Sequence, residues 1–174
     1  MPSSANSPQV DRGEPAALDP QRHLSMIPLL RDATSEVFAT MVFVELEPGH
    51  PIVGSAQPVA TVVGTVNFLG SVSGTVSFYS SDAAAREIVG AMLGIEPADA
   101  GNEVADTVGE ITNMIAGTFR GKLTQSGETL MITPPSVTVG TDFRAQHFNV
   151  AARVLCPFSM RGQDVFVELI LQAA

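Results

Sequence analysis

The chain has 174 residues, of which 45% are hydrophobic and 16% are charged. This length and composition suit one domain with a sizeable core and argue against a disordered or fibrous chain. Nine Lys and Arg against eighteen Asp and Glu give a formal charge of −9. Binding to the phosphate backbone of nucleic acid or to an anionic membrane therefore has no electrostatic support, and we expect neither as a partner.

The beginning of the chain and its cysteine content bear on location. Residues 1–24 are rich in Pro, Ser, Ala and Gln and carry almost no large apolar side chains, so we expect a flexible tail followed by a single domain over residues 25–174. No secretory signal is recognisable, and no run of about 20 apolar residues could span a bilayer. Cys156 is the only cysteine, which excludes an internal disulfide and suits a reducing compartment. We expect a cytoplasmic protein.

The first predicted elements follow this tail. Pro28 suits the first turn of a helix, and apolar residues at helical spacing predict that this helix runs to Thr40. The β-branched and aromatic run Met41–Glu47 predicts a strand directly after it. Residues 51–58, bounded by prolines, predict a loop.

Two further helices are marked by their ends. Ser80 or Ser81 can cap a helix over Asp82–Leu93, which Gly94 ends. The third helix is predicted over Glu103–Leu123 from the regular spacing of its apolar residues.

The remaining segments have the composition of strands. Two β-rich runs, Val59–Leu69 and Val72–Tyr79, are separated by small residues and predict an antiparallel hairpin. Three more strands are predicted over Leu130–Val139, His147–Leu155 and Val165–Leu171. Short turns between strands favour antiparallel pairing, so we expect an α+β fold in which a mainly antiparallel sheet of about six strands packs against about three helices.

The third helix carries two distinct faces. Its apolar residues recur at steps of three or four and form one stripe that faces the core: Val104, Val108, Ile111, Ile115 and Phe119. The opposite face is polar, and we call it the polar ridge: Asp106, Glu110, Asn113, Gly117 and Arg120.

The composition of the polar ridge admits two interpretations. A polar helix face is usually only solvated surface. Gly109, Gly117 and Gly121 each lower helix propensity by up to about 1 kcal/mol relative to Ala, so this surface is not optimised for helix formation. Small residues would let the backbone of a partner approach, although tight packing of the helix against its own sheet would explain some of them equally well.

A family resemblance rests on these residues. The run from Asp106 through Glu110-x-x-Asn113 to Gly117, followed by Pro135-Ser-Val-Thr-Val-Gly140, resembles the signature of the CheC/CheX/FliY phosphatases of bacterial chemotaxis. The resemblance extends over most of the predicted domain. A single Glu-x-x-Asn element and the lack of a C-terminal extension favour the CheX branch of this family.

This resemblance implies hydrolysis of the aspartyl phosphate on a CheY-like response-regulator receiver domain. Asn113 would enter the receiver's active site and Glu110 would contact its lysine. The resemblance implies no cofactor of the chain's own, because the receiver binds the Mg²⁺. In-line phosphoryl transfer needs a positioned water, and a carboxamide can donate one hydrogen bond and accept another.

The other residues of the polar ridge are candidates for contact with the receiver. Asp106 matches the family's acidic-or-serine position, but a carboxylate near a helix N-terminus also opposes the macrodipole. Gly117 would let the partner approach. Arg120, with Lys122 nearby, could meet an acidic receiver pocket, although the dipole also favours cations near a helix C-terminus.

The sequence contains no motif for a metal site, for nucleotide binding or for nucleophilic catalysis. His23, His50 and His147 are scattered, so no metal site is expected. A phosphate-binding loop is missing, and Val72 stands where a serine nucleophile would be needed between Gly70 and Gly74. We interpret Cys156 as a small buried side chain.

Two hypotheses without catalysis stay open. The chain could be a CheX-like module that binds a receiver or a flagellar-switch component without turnover. It could also be a scaffold that assembles through an exposed sheet edge, and a homodimer could coexist with catalysis.

Overall fold

The computed structural model describes residues 22–54, 56–143 and 150–173. This part of the chain forms three α-helices, α1 (Arg22–Val37), α2 (Asp82–Leu93) and α3 (Val104–Gln125). A π-helical turn over Phe38–Val42 extends α1, and two 3₁₀ turns precede α3. The strands are β1 (Glu47–Pro48), β2 (Ile52–Val53), β3 (Ala60–Gly70), β4 (Gly74–Ser80), β5 (Leu130–Ile132), β6 (Ser136–Phe143), β7 (Val150–Met160) and β8 (Gln163–Gln172).

The strands form one sheet in which every pair is antiparallel. The order is β1-β7-β8-β4-β3-β5, with β2 also paired to β7 and β6 also paired to β3. The helices pack on one face of this sheet, where alternate strand residues such as Val66, Val76 and Val167 join the core. The predicted α+β class and the mainly antiparallel sheet are confirmed.

Local signals in the sequence locate α2 and the β3–β4 hairpin well. The Oγ of Ser81 accepts the backbone N–H of Ala84 at 3.0 Å, and Gly94 ends the helix in the left-handed region at φ 68°. The predicted bounds of α2 are therefore confirmed. The hairpin is also confirmed, with Phe68 opposite Gly74 across its loop.

The predicted start of the first helix is wrong. The helix begins at Arg22, inside the segment expected to be a tail, and Pro28 lies in its interior. Met26 is buried in the core, and the Arg22 guanidinium forms an ion pair with Glu128. These tertiary contacts hold the turns before Pro28 in place, although proline removes a helical hydrogen bond. Residues 1–21 lie outside the described residues.

The strand predicted over Met41–Glu47 is also wrong. Its first two residues belong to the π-helical turn, and only Glu47 and Pro48 pair with another strand, β7. Burial nevertheless alternates from Val42 to Leu46, as in a strand with one buried face. The pattern therefore predicts correctly which side chains face the core, but the residues before Glu47 cover the core without pairing in the sheet.

The later strands differ from prediction at prolines. The strand predicted over Leu130–Val139 is two strands, because Pro134 and Pro135 lack the N–H groups that a continuous ladder needs. Both pieces pair with β3 and together resemble one interrupted strand.

Strand β7, by contrast, continues through Pro157 beyond the end predicted at Leu155. The Pro157 carbonyl accepts the N–H of Gly49 at 2.9 Å. The predicted start of this strand, His147, lies outside the described residues. In the predicted loop, Ile52 and Val53 form the short strand β2, which pairs with β7.

A buried polar cluster lies on the sheet face away from the helices. The Glu168 carboxylate is fully buried, accepts the Tyr79 hydroxyl at 2.6 Å and forms an ion pair with Arg153. Burial, with Glu168 next in importance, raises the pKa of Tyr79. This cluster ties β4, β7 and β8 together at a distance from the polar ridge.

Candidate functional site

Helix α3 lies close to β3 because one glycine makes room for it. Gly64 faces α3 from the middle of β3, and a Cβ atom there would lie 2.0 Å from Thr112 Oγ1 and 3.2 Å from the Val108 carbonyl oxygen. The Thr112 hydroxyl is directed back to that carbonyl, at 2.6 Å. The apolar stripe is buried as predicted. The polar ridge is thus presented from a rigidly packed helix.

The polar ridge itself lies at the surface. Asp106, Glu110 and Arg120 are exposed, and Asn113 and Gly117 are half-buried. Over the described ranges, none of the four polar side chains forms a hydrogen bond or an ion pair. The Glu110 carboxylate and the Asn113 carboxamide, one helical turn apart, are therefore available to another molecule.

The three glycines of α3 differ in their surroundings. A Cβ at Gly109 would lie 3.2 Å from Val137 Cγ2, so this glycine serves the packing of α3 against β6. At Gly117 and Gly121, a Cβ would meet no atom of the described residues within 4 Å. Packing inside the chain therefore explains Gly109 and does not explain Gly117.

Two grooves adjoin the polar ridge. The first runs beside Asp106 and Glu110 and is bounded by Val137 of β6 and by Pro135, which directly precedes that strand. The second, which we call the Asn113 groove, crosses α3 at Asn113 and Gly117. Its walls come from α1, the π-helical turn and β5: Glu36, Thr40, Met41 and Ile132.

The two cations near the end of α3 are in different situations. Lys122 Nζ lies 2.9 Å from Glu36 Oε2, and this ion pair joins α3 to α1. Arg120 has no such partner in the described part of the chain and lines the Asn113 groove. Arg120 therefore remains available for contact with a partner, whereas Lys122 has a structural role.

Asp106 lies in the first turn of α3 and also lines the first groove. The first of these positions agrees with a favourable interaction with the helix dipole, and the second agrees with contact to a partner.

The described residues offer neither a metal site nor a reactive thiol. Across the described ranges, no three His, Cys, Asp or Glu side chains are grouped so that they could hold a metal ion. Cys156 is buried in β7, and desolvation raises the pKa of its thiol to about 11. Such a thiol stays protonated near neutral pH and is a poor nucleophile, as its interpretation as a structural residue requires. Among the described helices, none is long and apolar enough to cross a membrane.

The sequence alone does not identify the wall of the Asn113 groove. The composition around Met41 predicts a strand, and Glu36 and Thr40 are ordinary helical positions. The spacing of Glu36 and Thr40, four residues apart, does place them on one face, but nothing local shows that this face lies beside Asn113.

The fold and the polar ridge together define an α+β domain that presents a carboxylate and a carboxamide on one exposed helix. A family model described as chemotaxis phosphatase CheX matches residues 62–159, more than half of the chain. The chain therefore belongs to the CheX family of chemotaxis phosphatases, in agreement with the resemblance seen in the sequence.

Individual relatives agree with this assignment. The CheY-P phosphatase CheX of Thermotoga maritima is 31% identical over 88 residues, which are 51% of this chain and 56% of the relative. The chain thus matches little more than half the length of that protein. A chemotaxis protein CheX from Desulfovibrio desulfuricans superposes with a TM-score of 0.79 at 30% identity, over 85% of this chain and 99% of the other.

A second solved structure shows a relative in complex with CheY. The CheX of Borrelia burgdorferi, in a complex with CheY, BeF3 and Mg²⁺, superposes with a TM-score of 0.74 at 28% identity. The superposition covers 84% of this chain and 97% of that one.

Proposed function

We propose that this chain dephosphorylates the aspartyl phosphate of a CheY-like receiver domain. The observation that carries the proposal is the pair formed by Glu110 and Asn113, which lie one turn apart on a rigid exposed helix without partners in the described structure. Membership of the CheX family and the CheY complex of a relative support the choice of substrate.

Asn113 has the chemistry that this reaction needs. Water attacks phosphorus in line, the bond between phosphorus and the aspartyl oxygen breaks, and the products are the aspartate carboxylate and inorganic phosphate. The Asn113 carboxamide would accept a hydrogen bond from the attacking water and donate one to a phosphoryl oxygen. It is neutral and needs no change of protonation, so its contribution is orientation.

The remaining ridge residues would hold the receiver in register. Glu110 would form an ion pair with the receiver's lysine, and Asp106 and Arg120 lie on either side of Glu110 along the helix. Gly117 leaves the backbone of α3 open to close approach. The receiver would bring the Mg²⁺, so the chain acts without a cofactor of its own. We place this reaction in the cytoplasm.

The test measures phosphate release from phosphorylated receivers of the source genome, in Mg²⁺, with the chain at substoichiometric concentration. We expect multiple turnovers, and Asn113→Ala should lower kcat by a factor of about 10² to 10³ while binding largely persists. Gln125→Ala removes another exposed carboxamide from the last turn of α3 and is the matched control.

The outcomes separate the hypotheses. Loss of turnover in Asn113→Ala but not in Gln125→Ala supports catalysis by Asn113. Binding without any acceleration of phosphate release by the wild type would contradict the phosphatase proposal and favour a module that only binds the receiver.

A further inference from the structure

The π-helical turn after α1 has an unusual backbone. Phe43 follows the turn at φ 58° and ψ 34°, in the left-handed region, and its N–H is directed to the Phe38 carbonyl. Bulky L-residues rarely adopt this conformation, because the Cβ atom crowds the carbonyl. Single π-helical turns and strained residues of this kind occur frequently at functional sites.

The core explains only part of this turn. Phe38 and Val42 are fully buried and anchor it. Met41 and Phe43 lie on the outside, with 44% and 76% of their surfaces exposed. Folding gains little from these two exposed side chains, so core packing gives no reason for a large apolar residue at either position.

The turn borders the proposed site. Met41 lines the Asn113 groove together with Asn113 and Gly117. The Cα atoms of Met41 and Phe43 are two residues apart and hence within about 7 Å of each other. The exposed apolar side chain of Met41 therefore adjoins the carboxamide that would enter the receiver, and the exposed Phe43 follows it two residues along the chain.

We propose that Met41 and Phe43 form the apolar part of the receiver-binding surface. This inference rests on the proposed function, because a receiver that admits Asn113 also covers the groove in which Asn113 lies. Large apolar and aromatic side chains near the centre of an interface provide much of the binding energy, while charged groups mainly set orientation and association rate. Glu110 and Arg120 would thus orient the receiver, and the π-helical turn would hold it.

Two variants test this assignment. Met41→Gln keeps the length of the side chain and removes its apolar character. Phe43→Gly removes the aromatic ring and places at φ 58° the residue that tolerates this conformation best. Val53→Ser is the control, since Val53 is 56% exposed and lies on β2. This strand is at the opposite edge of the sheet from β5 and β6.

We expect each of the two variants to raise KM for the phosphorylated receiver about tenfold, as loss of one good interface contact does, with kcat unchanged. The Kd for the receiver loaded with beryllofluoride and Mg²⁺ should rise by the same factor. Phe43→Gly should also keep or raise the melting temperature, because it relieves the backbone. A purely structural role for Phe43 predicts the reverse, a lower melting temperature and an unchanged Kd.

The measurements distinguish failure of this inference from failure of the proposed function. Turnover by the wild type with KM and Kd unchanged in both variants would overturn the apolar contact and leave the phosphatase standing. Weaker binding in both variants without turnover by the wild type would support the contact and overturn the phosphatase.

Two other outcomes would overturn the apolar contact. The first is the absence of both binding and turnover in the wild type. The second is a change in oligomeric state on size exclusion, without a change in Kd, which would assign the patch to a second copy of the chain.

Discussion

Asn113 and Glu110 adjoin each other on α3, yet their substitutions should affect different kinetic quantities. In the proposed reaction the carboxamide would act on the reacting atoms, so we expect its loss to lower kcat. The Glu110 carboxylate would act at the docking step through its charge. An interfacial ion pair loses hydration on both sides, so its net contribution to affinity is smaller than its Coulomb energy indicates.

Glu110→Gln tests this division of roles at the scale of one residue. The change keeps the shape of the side chain and removes its charge, so we expect KM to rise about three- to tenfold with kcat nearly unchanged, as for a moderate interfacial charge contact. Salt screens exposed charges, so the wild-type KM should increase with ionic strength more steeply than that of the variant. The measurement is the KM for the phosphorylated receiver between low and physiological salt. Parallel salt dependences in the two proteins would contradict a docking role for this charge.

At the scale of the element, two glycines at α3 have opposite surroundings, one crowded and one open. Gly64 of β3 lets the helix approach the sheet, and a Cβ there would overlap Thr112. Gly117 on the helix has open space above it and lies in the Asn113 groove. The first contact serves the fold, and the second position costs helix stability with no internal contact in return.

Gly117→Ala and Gly64→Ala should therefore change stability in opposite directions. We expect Gly117→Ala to stabilise the protein by up to about 1 kcal/mol, because Ala favours the helix, and to raise KM, because its methyl group occupies the groove. Gly64→Ala should destabilise by about 1–3 kcal/mol through overpacking. Urea unfolding measures both effects. A Gly117→Ala variant that gains stability at an unchanged KM would show that the receiver does not approach the helix there.

The helices also show which structural features can be predicted from neighbouring residues alone. Ser81 and Gly94 mark the ends of α2 in the sequence, and the structure confirms both. The apolar stripe of α3 likewise predicts the polar ridge opposite to it. Both inferences depend on a few neighbouring residues whose preferences agree with the fold.

The predictions are wrong where contacts between residues far apart in the sequence determine the local structure. Nothing near Arg22 shows that Glu128 will hold it in a helix, and Pro28 points to a later start. The apolar run at Met41 has the composition of a strand, but burial of Phe38 and Val42 favours a π-helical turn. The wall of the Asn113 groove was missed for this reason, because the groove depends on how α1 lies along α3.

At the scale of the whole molecule, Glu128 joins three segments that are far apart in the chain. Its carboxylate accepts hydrogen bonds from Arg22 at the start of α1 and from Ser71 in the β3–β4 loop, and Glu128 itself follows α3. These two partners favour the ionised form and hold the pKa of Glu128 below its ordinary value of 4.5. The cluster fixes the end of α1 that is remote from the Asn113 groove.

This depressed pKa predicts how stability changes in acid. A carboxyl group that is more acidic in the folded state than in the unfolded chain stabilises the fold above its unfolded pKa and loses this contribution as pH falls through its folded pKa. We therefore expect Glu128→Gln to destabilise the protein at pH 7 and progressively less below about pH 4.5, the ordinary pKa. Urea unfolding of both proteins from pH 7 to pH 3 measures this convergence. Glu96→Gln, which alters an exposed carboxylate outside any described ion pair, is the control for the loss of one carboxylate. A difference in stability for Glu128→Gln that does not change with pH would mean that the three segments are joined by contacts other than this charge.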